Sequence, residues 1–354
     1  MKMHRILAFA AAAAAVSSIL IGGRAVGFPI PGIPGVPGID PQTVAINAAI
    51  KQMAPWVRAN QPILLDWSAL YPNTNTLPGA PFAPASDAAS VARIRQLIQG
   101  QLAHSSTGIV NLPPGDYALE TRVYCTDIHR HGGSRALWLM GPLRGTRGNL
   151  LAAMYARASG KNVDFQQLQS LSWAMQAGMR YDELPLASRQ LFDALIPDFR
   201  ALAAGSFIEQ VQGQWNTLSS TIPGLPSMDS AIGRMGDIGQ TIFNIRNARE
   251  TILANANNYH VVASTLAPPS QSGPDTSGYP PPWAQVGPGV YERVMTPGHY
   301  GDKSEFDIRV TGPGQAGVPF SSVISYAPSH QEWQPLTQDS PTFSGKWSDI
   351  HLQY

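Results

Sequence analysis

Cysteine is nearly absent from this sequence, since Cys125 is the one cysteine in 354 residues. A single thiol excludes an intramolecular disulfide and any metal site built from several thiolates. Charged residues are also few, and 24 Lys and Arg against 23 Asp and Glu give a formal net charge of +1. Because this balance leaves no basic surface to neutralise a run of phosphates, we expect no nucleic-acid partner.

Familiar cofactor and catalytic motifs are missing too. The sequence contains no phosphate-binding loop, no dinucleotide fingerprint, no serine nucleophile elbow and no HExxH zinc motif. Several histidines are scattered without ligand spacing, and we interpret them as surface or structural residues: His104, His260, His299, His330 and His351. We therefore expect no cofactor, and the absence of these motifs favours a protein that is not an enzyme.

Long apolar runs are missing except near the N-terminus. A short basic start precedes an apolar run over residues 6–23, and small residues then recur at Gly23, Ala25 and Gly27. This pattern is typical of a secretory signal peptide, which we assign to residues 1–27, and the alternative is an uncleaved membrane anchor. We expect a secreted, periplasmic or cell-surface protein with no stable membrane span after cleavage.

Composition divides the rest of the chain into four regions. They are a Pro/Gly-rich spacer at 28–40, a mixed domain at 41–266, a Pro-rich linker or strap at 267–289 and a small β unit at 290–354. Residues 109–112 and 117–125 are strand-like and flank a turn at 113–116, which predicts a hairpin. Helical spacing predicts helices over 41–58, 87–102, 149–158, 165–177, 188–204, 207–219 and 227–257. The predicted fold class is α+β, a hairpin plus a helical subdomain with a small C-terminal β unit.

The residues around the one thiol are the first candidates for chemistry. Potential metal ligands alternate along this segment: Cys125, Asp127, His129 and His131. On a continued strand all four side chains share one face, where they are plausible zinc or copper ligands. A second interpretation is a cysteine hydrolase, in which His129 or His131 is the base that ionises Cys125.

A third interpretation pairs Cys125 with a distant amide. Gln169 and Trp173 lie one turn apart on the same face of a predicted helix. A thiol held against a glutamine carboxamide can displace ammonia and leave an internal thioester, provided that the two groups are held together. Tyr124 and Trp173 would then supply an apolar shell that protects the bond from water.

The fourth interpretation is structural. Cysteine is often a small buried hydrophobe, and a tryptophan at helical spacing usually belongs to a core. On this interpretation Cys125 has no chemical role, and the protein is an exported scaffold.

Two short motifs resemble the thioester domain of bacterial surface adhesins. The first is Tyr124-Cys125-Thr126-Asp127, and the second runs from Gln169 to Trp173, so the resemblance covers about residues 113–181. It implies an internal thioester between Cys125 and Gln169, supported by Tyr124, Asp127 and Trp173. It also implies a non-catalytic adhesion protein whose partner is a protein or surface polymer that presents nucleophiles.

Overall fold

Helices form most of the regular structure before residue 267, and strands form most of it afterwards, so the fold is α+β. The computed structural model describes residues 40–64, 70–126, 138–256, 258–267, 281–295, 303–320 and 323–326. In these ranges the helices are α1 (Pro41–Asn60), α2 (Ala88–Leu102), α3 (Gly148–Ala158), α4 (Phe165–Gln176), α5 (Leu186–Leu195), α6 (Phe207–Ser219), α7 (Met228–Ala231), α8 (Gly236–Ala254) and α9 (Tyr259–Leu266). None of them is both long and apolar enough to cross a membrane.

Local signals in the sequence explain where the helices begin and end. Asp87 begins α2, because its carboxylate accepts a hydrogen bond of 2.9 Å from the Ser90 backbone N–H. Asp164 begins α4 by the same contact with the Gln167 N–H, also at 2.9 Å. The helix predicted over 188–204 ends at Leu195 instead, since a proline follows at position 197 and cannot continue it.

The strands of the described residues form one sheet of five strands and two small pairs. They are β1 (Asn73–Thr74), β2 (Ile109–Leu112), β3 (Gly115–Arg122), β4 (Trp138–Gly141), β5 (Trp283–Gly287), β6 (Val290–Met295), β7 (Lys303–Val310), β8 (Ala316–Pro319) and β9 (Val323–Tyr326). The larger sheet has the order β1-β5-β6-β7-β3, and every pairing in it is antiparallel. Strand β3 therefore lies at its edge, and its register with β7 runs from Gly115 opposite Val310 to Arg122 opposite Lys303.

The predicted hairpin is wrong, although both of its strands exist. Strand β2 pairs with β8, and β3 pairs with β7, so the turn at 113–116 connects two different sheets. Leu112 and Tyr117 on either side of this turn are buried in the same hydrophobic cluster. The Tyr117 hydroxyl also donates to the Pro113 carbonyl at 2.6 Å. Strands β2 and β3 therefore pair with distant strands and not with each other.

The predicted boundary at 267–289 also needs correction. Its last part is strand β5, in which Trp283 is only 5% exposed, and this strand pairs with β1 and β6. The three prolines before Trp283 obscured the strand, but proline at the start of a strand removes no hydrogen bond from its interior. Strands β7, β8 and β9 of the predicted β unit pair with β3, β2 and β4, so the described residues from 41 onwards belong to one compact unit. The predicted signal peptide at 1–27 and the predicted spacer, apart from Asp40, lie outside the described residues.

Three hydrophobic clusters form the core. One lies among α3, α4, α5, α8 and α9, a second joins the five-stranded sheet to α2, and a third joins α1, α6 and α8. Arg147, which is 3% exposed, fixes the end of α4 by donating to the carbonyls of Met175 at 3.2 Å and Met179 at 2.8 Å. The first cluster holds α4 rigidly beside the residues that follow β3.

Candidate functional site

Cys125 lies just beyond the end of β3, on the side of the molecule that faces α4. Its side chain is partly buried, and it packs with Tyr124 against the cluster around α3 and α4. Cys125 follows the last residue of β3 that pairs with β7. Its backbone N–H and C=O groups therefore need hydrogen-bond partners other than β7.

Gln169 on α4 provides that partner. Its Oε1 accepts a hydrogen bond of 2.8 Å from the Cys125 backbone N–H, and its Nε2 donates one of 2.9 Å to the Cys125 carbonyl. The two residues are 44 positions apart in the chain, and Gln169 has no solvent exposure. Both polar atoms of the carboxamide are therefore fixed, and the Gln169 carboxamide lies directly against the residue that carries the thiol.

A second glutamine, two turns further along the same face of α4, extends this network. Gln176 donates to the Cys125 carbonyl at 3.0 Å and to the Ser172 hydroxyl at 2.9 Å. The Ser172 hydroxyl also shares a hydrogen bond with the Tyr155 hydroxyl from α3. The Cys125 carbonyl consequently accepts two side-chain hydrogen bonds, and its orientation is fixed from two turns of one helix.

The sequence interpretation missed Ser172, Gln176 and Tyr155. The signal that would have found the first two is their spacing, since Gln169, Ser172 and Gln176 recur at three and four residues along one face. All three are buried on a helix whose other buried residues are mostly apolar. Buried polar side chains at helical spacing require polar partners, which the strand end at Cys125 supplies.

Aromatic rings surround the site. The Tyr124 ring stacks between Tyr155 and Phe165, with centroid distances of 4.7 and 5.1 Å. Trp173 is fully buried and stacks on Tyr259 at 5.6 Å, so its indole belongs to the core beside Gln169. The tyrosine and tryptophan rings lie in or against the same cluster as the helix that carries the fully buried Gln169.

The tyrosines near the thiol remain neutral. Burial raises the pKa of the Tyr155 hydroxyl far above its usual range, and burial is also the largest cause of the raised pKa of Tyr124. Neither phenol is therefore a base for the Cys125 thiol at neutral pH. Among the described residues, the polar groups placed closest to Cys125 are therefore the amide groups of Gln169 and Gln176.

The metal and hydrolase interpretations rest on residues that the structure does not describe. Asp127, His129 and His131 all lie outside the described ranges. Among the residues within those ranges, no group of three or more His, Cys, Asp or Glu side chains is arranged to hold a metal ion. The described histidines, His104 and His260, are exposed and lie on other elements. The structure therefore brings Cys125 together with Gln169, and with no described histidine.

No protein-family model, curated protein or solved structure matches this chain.

Proposed function

We propose that this chain is an exported, non-catalytic protein of the surface or adhesion type, which captures nucleophiles through an internal thioester between Cys125 and Gln169. The observation that carries the proposal is the double hydrogen bond between the Gln169 carboxamide and the Cys125 backbone. Proximity of this kind supplies the preorganisation that the reaction requires, because the bond is unfavourable when the two groups are free in water.

The hydrogen bonds suit the reaction atom by atom. To form the thioester, the Cys125 Sγ attacks Cδ of Gln169, the Cδ–Nε2 bond breaks, and the thiol proton leaves with the nitrogen as ammonia. Negative charge develops on Oε1 during the attack, and the Cys125 backbone N–H already donates to this oxygen at 2.8 Å. The leaving nitrogen donates to the Cys125 carbonyl at 2.9 Å, which fixes its orientation before the reaction.

Capture of a partner breaks the thioester bond between Cys125 and Gln169. The nitrogen of an incoming amine bonds to Cδ, the Cδ–Sγ bond breaks, and the proton lost by the amine returns to Cys125. Gln176 Oε1 is buried and has no hydrogen-bond partner among the described residues. This oxygen is an acceptor beside the Cys125 carbonyl and is available to the N–H of an incoming amine.

A purely structural role is the second candidate, because the same two hydrogen bonds satisfy the backbone of Cys125 without any use of its thiol. On that account Gln169 satisfies the backbone hydrogen-bonding groups that follow strand β3, and the side chain at position 125 is replaceable. The two candidates differ in the state of the thiol, which is blocked in a thioester and intact in a structural clamp.

Methylamine provides the test. It should open the thioester, add to Gln169 and expose the Cys125 thiol to a maleimide reagent, with both changes mapped by peptide mass spectrometry. Cys125→Ala and Gln169→Ala should each abolish methylamine addition. The matched control is Gln166→Ala, an exposed glutamine on the same helix, which should react as the wild type does. Maleimide labelling of native Cys125 before methylamine is added supports the structural clamp instead.

Export rests on the N-terminal pattern described above and has its own test. Mass spectrometry of the exported protein should find an N-terminus near Val26 or Phe28. Recovery of the intact N-terminus in a membrane fraction contradicts export with cleavage, and it leaves the Cys125–Gln169 proposal unaffected.

A further inference from the structure

A cavity of about 490 Å³ lies between the edge strand β3 and the helices α2 and α3. Its volume falls in the range of sites that bind small molecules, roughly 300–1,000 Å³. The cavity is separate from the carboxamide of Gln169, although Tyr124 and Tyr155 belong to its lining as well as to the shell around that amide.

The walls of the cavity are more apolar than polar. The apolar side chains come from α2, from β3 and the residue after it, and from β4 and β7: Ile98, Leu102, Leu119, Val123, Met140 and Phe306. Each of these side chains belongs to the second hydrophobic cluster or packs against it. Water gains few hydrogen bonds against such walls, so an apolar ligand that displaces it is favoured.

The charged groups of the lining are mostly cationic. Among the described residues, the exposed cations Arg122 and Lys161 line the cavity together with Arg95 and one carboxylate, Glu120. Glu120 is paired with Lys303 at 2.8 Å, so its charge is compensated outside the lining. An apolar cavity with surplus positive charge complements a ligand that has an apolar body and a negative head.

We propose that this cavity binds an anionic amphiphile, a single alkyl chain that ends in a carboxylate. A small inorganic anion would leave the apolar walls hydrated, and an alkyl ammonium would meet the exposed cations Arg122 and Lys161. The proposal does not depend on the thioester, because no atom of Cys125 or Gln169 takes part in holding the ligand.

Calorimetric titration of the full chain tests this proposal. The Cys125→Ala protein is titrated with octanoate, decanoate and dodecanoate, so that the thiol cannot contribute. The dissociation constant should fall about fourfold for each methylene that the cavity buries. Dodecylamine, which has the same chain and the opposite charge, should bind much more weakly than dodecanoate.

Two double variants locate the binding site. The double variant Arg122→Gln, Lys161→Gln removes exposed cations of the lining and should weaken dodecanoate binding by about tenfold or more. The matched double variant Lys51→Gln, Arg58→Gln removes exposed cations of α1 and should leave binding unchanged. The proposal is overturned if dodecanoate shows no saturable binding, if chain length has no effect, if dodecylamine binds equally well, or if both double variants bind alike.

Discussion

Arg309 on β7 holds the carboxylate of Asp116 on β3 with two hydrogen bonds of 2.6 Å, across 193 residues of chain. The same guanidinium donates to the carbonyls of Pro78 at 3.1 Å, Ala80 at 2.6 Å and Pro81 at 3.1 Å. One buried side chain from the C-terminal strands therefore fixes both the start of β3 and the loop that precedes α2. This contact joins regions that the sequence analysis had assigned to separate domains.

Arg309→Met should lower the free energy of unfolding by about 3–5 kcal/mol, because it leaves the Asp116 carboxylate largely buried without its partner. Urea denaturation followed by circular dichroism measures the change. The matched control is Arg200→Met, since Arg200 is more than half exposed and solvent screens its ion pair with Asp193, so its loss should be much smaller. Equal losses in the two variants would contradict the role given to Arg309.

Cutting the chain between β5 and α9 should not separate it into independent parts. A protease site inserted after Ala267 divides the protein into two fragments, but β3 keeps β7 as its partner and β2 keeps β8. The cut fragments should therefore elute together in size-exclusion chromatography and separate only in denaturant. Elution of a folded fragment that ends at Ala267 would restore the domain boundary that we have rejected.

The helices were predictable because their signals are local. Asp87 and Asp164 precede apolar periodicity and form the caps that the sequence indicates. Strand pairing was not predictable, since the partner of β3 lies almost 190 residues away and no local feature selects β7 over β2. Proline before Trp283 concealed β5 for a related reason, because the strand is stabilised by its neighbours and not by its own composition.

The candidate site was predictable in part. Cys125 is the one thiol of the sequence, and the spacing of Gln169 and Trp173, together with the resemblance to thioester domains, selected Gln169. The structure brings the two residues together. The contribution of Gln176 and Tyr155 depends on which helix faces meet, which requires the packing of α3 against α4. Those contacts are tertiary, so one sequence does not reveal them.

The free energy of unfolding should fall as the pH rises from about 4.5 to 8, because Glu305 must lose a proton in a buried site. Burial, followed by the charge of Asp307, raises the pKa of Glu305 to about 8 from 4.5. The folded state therefore holds a proton that the unfolded state releases, and the stabilisation present below pH 4.5 is lost as the pH passes through the folded pKa. Urea midpoints measured at several pH values across this window should decrease.

Glu305→Gln should reduce this pH dependence and make the protein more stable than the wild type above pH 8, since the amide stays neutral. The control is Glu250→Gln, an exposed carboxylate on α8 that should leave the slope unchanged. Identical slopes for the wild type and Glu305→Gln would show that another group causes the dependence.

The stacked Tyr124 ring should protect the proposed thioester from hydrolysis. Tyr124→Ala removes the ring between Tyr155 and Phe165 and should shorten the lifetime of the thioester at neutral pH, as followed by the gain of one water in the intact mass. Tyr124→Phe keeps the stacking and should leave the lifetime unchanged. A longer or equal lifetime in Tyr124→Ala would remove Tyr124 from the protective shell.

The intact mass of the freshly purified native chain tests the central claim most directly. If Cys125 and Gln169 are joined, the protein is lighter than its processed sequence by one ammonia, and Gln169→Ala has the mass of its own sequence. The N-terminus is determined separately, so that processing is not confused with the loss of ammonia. A native mass equal to that of the processed sequence, with Cys125 open to alkylation before any denaturant is added, would contradict the thioester.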